Sequence, residues 1–136
     1  MKKIAIIIIV IFTLTACELF EIGTKKASVI PIDQISPVGV VKLLKIKLDS
    51  NKIPDAVALM MKNDGSQYLA IEKVELFEDL KRLGRNIAGR KITRHRTDTL
   101  AADYCIVNME FDYIRNYKFS TKLISDKWYI AAFKRY

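Results

Sequence analysis

The sequence has 136 residues, of which 51% are hydrophobic and 28% are charged, and its formal net charge is +8 at pH 7. This length suits a single domain, and the composition excludes wholly disordered and collagenous chains. One histidine and two cysteines exclude a multi-histidine metal site, a Cys/His zinc cluster and a disulfide-dense scaffold. The sequence has no Gly-rich phosphate loop, nucleophile elbow or zinc helix motif, so we expect no catalytic residues, metal or cofactor.

The N-terminus has the three parts of a secretory signal: a basic start, a short apolar run and small residues. Met1–Lys3 is the basic start, residues 4–12 are apolar without a break, and Leu14-Thr15-Ala16-Cys17 follows closely. The apolar run is about half of the roughly 20 residues that a membrane-spanning helix needs. The pattern therefore favours a cleaved signal over an uncleaved anchor.

The residues from Leu14 to Cys17 resemble the lipobox of bacterial lipoprotein precursors, where a Leu and a small residue precede an obligatory Cys. The resemblance implies that residues 1–16 are removed and that Cys17 carries diacylglycerol and an acylated amino group. Two or three acyl chains hold a protein on a bilayer far more firmly than one chain does. The implied location is the bacterial cell membrane or outer membrane, with the domain outside the cytoplasm. The alternative is an ordinary signal peptide with a chance Cys after Ala16.

The mature chain begins with a tether and continues into helices. Residues 17–34 have mixed charges and little periodicity, so we interpret them as a lipidated N-terminus and tether, and we expect the domain over residues 35–136. Ser36-Pro37 predicts a helix start, with Ser as N-cap and Pro in the first turn, and this helix ends near Asp49. Apolar spacing predicts a second helix over 55–61 and a third over about 67–83.

After Gly89 the hydrophobic period changes from 3.6 to 2, which indicates strands. Polar strand residues follow from Lys91 to Thr97, and Arg115-Asn116 and Ser125-Asp126-Lys127 are the predicted reversals. The other predicted strands cover 104–113, 117–123 and 128–133. Three helices followed by a four-strand antiparallel meander predict an α+β domain, with the first helix covering the apolar face of the sheet.

Strand alternation identifies the side chains that face inward. Trp128 is expected to be buried, and Cys105 is interpreted as a small buried hydrophobe. Glu110 and Asp112 are expected to point away, which leaves an enzyme on this face without a carboxylate base. The candidate ligand-facing residues are Met109, Tyr113, Tyr117 and Thr121. The alternative for these four residues is an ordinary packed core.

This layout resembles the NTF2-like (cystatin-like) fold, and within it the small bacterial lipoproteins with a DUF4878-type domain. The residues that carry the resemblance are Ser36-Pro37-Val38 with its helix, residues 73–83, and residues 104–133, with the closing Ser125-Asp126-Lys127-Trp128-Tyr129-Ile130. The family's usual Gly in the last turn is absent, and the first strand is unusually basic. The resemblance implies helices packed on a curved four-strand meander and an envelope location, without implying a particular activity.

The positive charge is concentrated in the C-terminal half. Residues 17–84 are neutral, whereas residues 85–136 carry 11 basic and 5 acidic side chains. The densest cluster is Arg90, Lys91, Arg94 and Arg96, and alternation predicts Arg90, Arg94 and Arg96 on one face with Ile92. Protection of an edge strand, contact with an anionic membrane surface, and an acidic protein or glycan partner are alternative explanations. Nucleic acid is not expected, because the aromatic residues are not interleaved with the basic ones.

Three functions are compatible with the sequence. The first is a lipid-anchored cell-envelope protein whose domain binds a protein or small-molecule partner without catalysis. The second is an NTF2-like enzyme that acts on a small apolar molecule. The third is a purely structural surface lipoprotein. A pocket on the inner sheet face lined only by Tyr, Met and Thr would favour the first function, and a buried Asp or Glu with a shifted pKa in such a pocket would favour the second. A closed, filled face would favour the third, a structural or surface-interaction lipoprotein without a pocket.

Overall fold

A computed structural model describes residues 31–136. The helices in this part of the chain are α1 (Pro37–Asp49), α2 (Ile53–Val57) and α3 (Ala70–Ile87), and the strands are β1 (Ile92–Ala101), β2 (Tyr104–Phe111), β3 (Arg115–Ile124) and β4 (Lys127–Arg135). The strands pair antiparallel in the order β1-β2-β3-β4, which confirms the predicted α+β meander. No helix within residues 31–136 is long and apolar enough to span a membrane. The predicted signal peptide and Cys17 lie outside the described residues.

Helix α1 begins at the predicted capping residues. The Oγ of Ser36 accepts a hydrogen bond from the Gly39 N–H at 2.9 Å, and a proline in the first turn lacks only an N–H that would be unpaired anyway. The preceding segment lies so close to this turn that a Cβ on Gly39 would be 2.7 Å from the Pro31 and Asp33 carbonyl oxygens. A glycine is therefore required where the chain crosses the start of α1.

The chain is already joined to the sheet before α1 begins. The Trp128 N–H donates to the Gln34 carbonyl oxygen at 2.8 Å, and the Gln34 Nε2 donates to the Trp128 carbonyl oxygen at 3.0 Å. Both bonds lie at the edge of β4 that faces away from β3, where backbone groups would otherwise lack a strand partner. This edge is therefore partly covered by the chain that leads into α1.

Helix α2 is shorter than the predicted helix over 55–61, because the chain leaves the helix to pair with the sheet. The Met61 N–H donates to the Ile130 carbonyl oxygen at 3.0 Å, and the Ile130 N–H donates to the Leu59 carbonyl oxygen at 2.9 Å. These bonds form a short parallel bridge beside β4. The apolar residues here fit a helix or a strand, and the free edge of β4 selects the extended form.

Helix α3 is shifted towards the C-terminus relative to the predicted 67–83. Gly84 lies inside the helix, where an added Cβ would be 3.7 Å from the Leu48 side chain, an ordinary contact distance. Gly89 has a φ of +71° just after the helix, a conformation that suits glycine. The helix therefore continues through the first glycine and ends before the second.

Two tight reversals connect β2, β3 and β4. Ser125 and Asp126 have φ values of 48° and 63°, and they form the predicted turn between β3 and β4. The reversal predicted at Arg115-Asn116 is wrong, because Asp112 and Tyr113 adopt φ values of 50° and 64° and turn the chain earlier. Left-handed residues match the twist of the flanking strands, which is why such turns join hairpins.

The core is formed by the three helices and the inner face of the sheet, which is the face towards α1. Trp128 belongs to this core and is 8% exposed, as the sequence predicts, and Cys105 is buried as expected. The largest fully buried side chains are Phe111, Phe119, Leu44, Leu80, Ile87, Met109, Ile130, Val40, Val41, Val107 and Thr121. All buried apolar residues that the structure describes lie within residues 38–131.

Candidate functional site

The inner face of the sheet is filled by side chains. Met109, Tyr117 and Thr121 face inward as predicted, but they are 1%, 5% and 0% exposed and belong to the packed interior. The Thr121 hydroxyl donates to the Cys105 carbonyl oxygen at 2.9 Å, and the Tyr117 ring meets Phe111 edge to face at 6.1 Å. The ligand-facing role expected for these three residues is therefore replaced by a structural role.

Tyr113 does not belong to this face. It is 80% exposed, because β2 ends at Phe111 and Tyr113 lies in the following turn. The alternation of apolar residues continues through Tyr113 in the sequence, and the left-handed turn interrupts it in the structure. The expectation of a ligand-facing Tyr113 on the inner face is therefore wrong.

A bulge in β1 changes the predicted arrangement of the basic cluster. Ile92 pairs with Phe111 and Arg94 pairs with Glu110, so one extra residue, Thr93, lies between them. An extra residue turns the following side chains to the opposite face. Arg94 and Arg96 therefore lie on the outer face of the sheet, away from α1, whereas Ile92 points inward.

Arg90, which precedes β1, links α3 to the turn after β2 through hydrogen bonds. Its Nη1 donates to the Asp112 Oδ2 at 3.0 Å, and its Nε donates to the Asn86 carbonyl oxygen at 2.7 Å. The Lys91 N–H donates to the other Asp112 oxygen at 3.0 Å, and these two donors hold the pKa of Asp112 below its ordinary value. The Arg90 side chain therefore has a structural role, and the prediction that it shares a face with Arg94 is wrong. Lys91 is exposed.

The outer face of the sheet carries more positive charge than the sequence cluster indicates. Register places two carboxylates there, Asp98 and Glu110. We call the six basic residues of this face the outer-face cations: Arg94, Arg96, Lys118, Lys122, Lys127 and Lys134. Sequence analysis missed the four lysines, because they are spread over residues 118–134 and only strand pairing brings them together.

His95 lies on the inner side of β1, opposite Met109. Partial burial and the positive charge of Lys42 on α1 lower the pKa of His95 below 6.5. Asp98 pairs with Ile106 on the outer face, so the carboxylate nearest in sequence is on the other side. His95 is therefore a neutral surface histidine at physiological pH.

A second candidate site is an open groove beside β4, with a volume of about 510 Å³. Its walls come from α2, the following extended segment, the start of α3 and one residue of β4. The residues that line the groove are Pro54, Val57, Ala58, Met60, Met61, Gln67, Tyr68, Lys73, Phe77 and Tyr129. This volume is within the range of sites for small molecules, and apolar walls with few polar groups are typical of such sites.

The groove extends onto an exposed apolar surface. Leu69, Ile71 and Val74, at the start of α3, are 64%, 74% and 62% exposed. A shallow depression lined by Val74, Phe77, Lys73 and Glu78 continues from the groove along the helix. Single exposed apolar residues are common, but a cluster beside a groove indicates a binding surface.

The two lysines near the groove differ in whether they form an ion pair. The Lys62 ammonium forms an ion pair with Glu72 at 2.7 Å, and this pairing together with the Leu69 N–H lowers the pKa of Glu72. Lys73 is exposed, and it forms no ion pair within the described residues. Burial raises the pKa of the Tyr68 phenol, which therefore remains a neutral hydrogen-bonding group.

Among residues 31–136, no three His, Cys, Asp or Glu residues are grouped closely enough to hold a metal ion. Comparison with family models, curated proteins and solved structures found no match to the chain. Sequence analysis missed the groove because its walls come from separate parts of the chain that only the fold brings together. The available signal was the adjacent pair of methionines before the Asn63-Asp64-Gly65 turn, since methionine is common at adaptable apolar surfaces.

Proposed function

We propose that this protein is a lipid-anchored cell-envelope protein whose NTF2-like domain binds an anionic amphiphile in the groove beside β4, without catalysis. The anchor is supported by the basic start, the short apolar run and the lipobox-like residues that end at Cys17. The fold family is supported by the order of helices followed by a four-strand meander. The anchor places the domain next to a source of amphiphiles, outside the cytoplasm.

The single observation that carries the binding function is the groove itself. The inner face is filled, so we place binding on the surface of the domain, where the groove combines apolar side chains with polar groups and with Lys73, which forms no ion pair among the described residues. Val57, Met61 and Phe77, which are partly exposed, provide apolar contacts for a chain or ring, and Lys73 provides a positive charge for an anionic head group.

The enzyme alternative is less well supported. The inner face presents Cys105, Met109 and Thr121 as fully packed side chains, and the nearby carboxylates Glu110 and Asp98 lie on the outer face. A general base must lie within hydrogen-bond reach of its substrate, and neither carboxylate could reach a substrate on the inner face of the sheet. The third alternative, a purely structural lipoprotein, predicts that the groove binds no ligand.

The binding function can be tested with the domain, residues 31–136, which contains every buried apolar residue that the structure describes. Calorimetric titration with dodecanoate should show saturable binding, and dodecyltrimethylammonium, which has the same chain and a positive head group, should bind more weakly. Ala58→Trp places an indole in the groove from an exposed position and should abolish binding. Lys73→Gln should weaken binding of dodecanoate but not of the cationic analogue.

The matched control is Ala132→Trp, which adds the same indole at an exposed position on the outer face. It should leave binding unchanged. Equal binding by the parent and by Ala58→Trp, or no saturable binding by the parent, would contradict the proposed function and favour the structural alternative. The anchor is tested separately: Cys17→Ser should leave unprocessed precursor, and retention of a processed, membrane-bound variant would refute lipidation of Cys17.

A further inference from the structure

We propose that the outer face of the sheet docks onto an anionic lipid surface and so orients the domain on the membrane that anchors it. The inference rests on the proposed lipid anchor, but it assigns a separate surface and a separate ligand. The outer-face cations outnumber the carboxylates of that face by six to two. Each basic residue near an anionic membrane surface contributes roughly 1 kcal/mol of attraction.

Edge protection does not explain this distribution. In the order β1-β2-β3-β4, strand β3 is internal and already paired on both sides. Lys118 and Lys122 nevertheless lie on the outer face of β3. Because β3 is not an edge strand, these lysines cannot serve to prevent edge-to-edge aggregation. A cation on an internal strand needs another explanation, and a partner that covers the whole face provides one.

The strongest indication is a pair of like charges. Lys118 and Lys134 are directly opposite each other on β3 and β4, an arrangement that destabilises a sheet. Neither lysine has a carboxylate within ion-pair distance among the described residues, although the Lys118 ammonium lies 5.4 Å from the centre of the Tyr136 ring. An anionic surface against this face would neutralise both charges.

The remaining cations differ in how freely they can contact lipid. The Arg96 Nε pairs with Asp98 at 2.8 Å, and the Lys122 ammonium donates to the Asn63 carbonyl oxygen at 2.7 Å. Arg94 and Lys127 are exposed and form no ion pair within residues 31–136. Free cations therefore occur on β1, β3 and β4, across the full width of the sheet. A flat anionic bilayer fits this broad face better than an acidic peptide, which would contact one strip.

The docked state can be measured on the intact lipidated protein in vesicles of phosphatidylcholine, with or without phosphatidylglycerol. An environment-sensitive fluorophore is attached through Ser120→Cys on the outer face, or through Asp79→Cys on the exposed side of α3. Native Cys105 is 4% exposed and should not react. With phosphatidylglycerol, the label at position 120 should shift to the blue and be shielded from an aqueous quencher, whereas the label at position 79 should remain accessible. Raised salt should reverse the shielding.

Charge variants identify the surface. Lys118→Gln with Lys134→Gln removes two outer-face cations and relieves their repulsion, so the fold should be retained. At roughly 1 kcal/mol per residue, the docking equilibrium should weaken about 25-fold. Lys81→Gln with Arg85→Gln removes the same charge from α3 and should leave docking unchanged. Equal shielding of the labels at positions 79 and 120, or an equal loss of docking in both double variants, would overturn the inference.

Failure of the anchor has a different signature. If Cys17 is not lipidated, the protein will not float with pure phosphatidylcholine vesicles, whatever the label reports. Binding only to phosphatidylglycerol vesicles, with shielding at position 120, would then support docking without the anchor. If the protein floats with both vesicle compositions but the shielding at position 120 does not depend on composition, the anchor is retained and the docking is overturned. Shielding that requires an added acidic protein would also overturn docking on lipid.

Discussion

The two faces of the sheet are built from alternate residues of the same strands, yet they have opposite properties. On β3, Phe119 is fully buried against the core, while its neighbour Lys118 lies on the outer face opposite another lysine. The side chains of the inner face are packed into the core. The outer face has two lysines directly opposite each other, an arrangement that destabilises a sheet and that the proposed docking on an anionic surface would relieve. The difference is the reason why the binding surfaces proposed above lie outside the inner face of the sheet.

The largest expected effect is on the inner face. Trp128→Ala should lower the free energy of unfolding by about 3–5 kcal/mol, because it removes a large buried side chain from the core. Lys127→Ala, the adjacent exposed position, should change it by less than about 0.5 kcal/mol. Urea denaturation of both variants measures the contrast, and similar values for the two would show that the faces are not distinguished as described.

The second effect concerns the segment that leads into α1. Gly39→Ala would push a methyl group against the Pro31 and Asp33 carbonyl oxygens and should cost about 1–3 kcal/mol. Gly84→Ala is the matched control, since its methyl group would meet Leu48 at ordinary distance and should be neutral or stabilising by up to about 1 kcal/mol. Thermal unfolding compares them, and a Gly39→Ala variant as stable as the parent would mean that this close crossing is absent in solution.

A smaller effect, of opposite sign, is expected on the outer face. Lys134→Glu places a carboxylate directly opposite Lys118 and should stabilise the domain by about 0.2–1 kcal/mol at low salt. Lys127→Glu, which is opposite Ile124 rather than a lysine, should give no comparable gain. Denaturation at low and high salt tests this pair, and a loss of stability in Lys134→Glu would contradict the assigned register.

The smallest effect is a pH dependence at His95. Its pKa is below 6.5 in the folded domain, so the unfolded chain takes up the proton first as the pH falls. This contribution to stability is fully present above about pH 6.5, declines below it and levels off below the folded pKa. Lys42→Gln should raise the pKa of His95 towards 6.5, as measured by NMR titration. No change would show that burial alone sets the pKa.

The sequence predicts much of this architecture because the relevant signals are local. Ser36-Pro37 caps a helix through bonds within four residues, and Cys105, Val107, Met109 and Phe111 alternate with polar neighbours along one strand. These patterns determine the α+β class, the strand order of the meander and most inward-facing residues. They also predict the burial of Trp128.

The features that sequence analysis missed depend on contacts between distant residues. The bulge at Thr93 can be identified only from the pairing of β1 with β2, and it places Arg94 on the opposite face of the sheet from Ile92. The groove exists only because residues 59–61 leave a helical path to pair with Ile130. The lysine pair across β3 and β4 likewise requires the register. Local propensity cannot supply such information, because tertiary pairing decides between nearly equal local alternatives.

The central claim is that binding occurs at the surface groove and not inside the sheet, and the methionine methyl groups test it most directly. Met61 is half-buried and lines the groove, whereas Met109 is 1% exposed on the inner face. Met60 also borders the groove, but it is 5% exposed and belongs to the core, so Met61 is the reporter. In the domain labelled with ¹³C at the methionine methyls, dodecanoate should shift the Met61 resonance and leave Met109 in place. A shift of Met109 with unchanged Met61 would place the ligand inside the sheet and contradict the account.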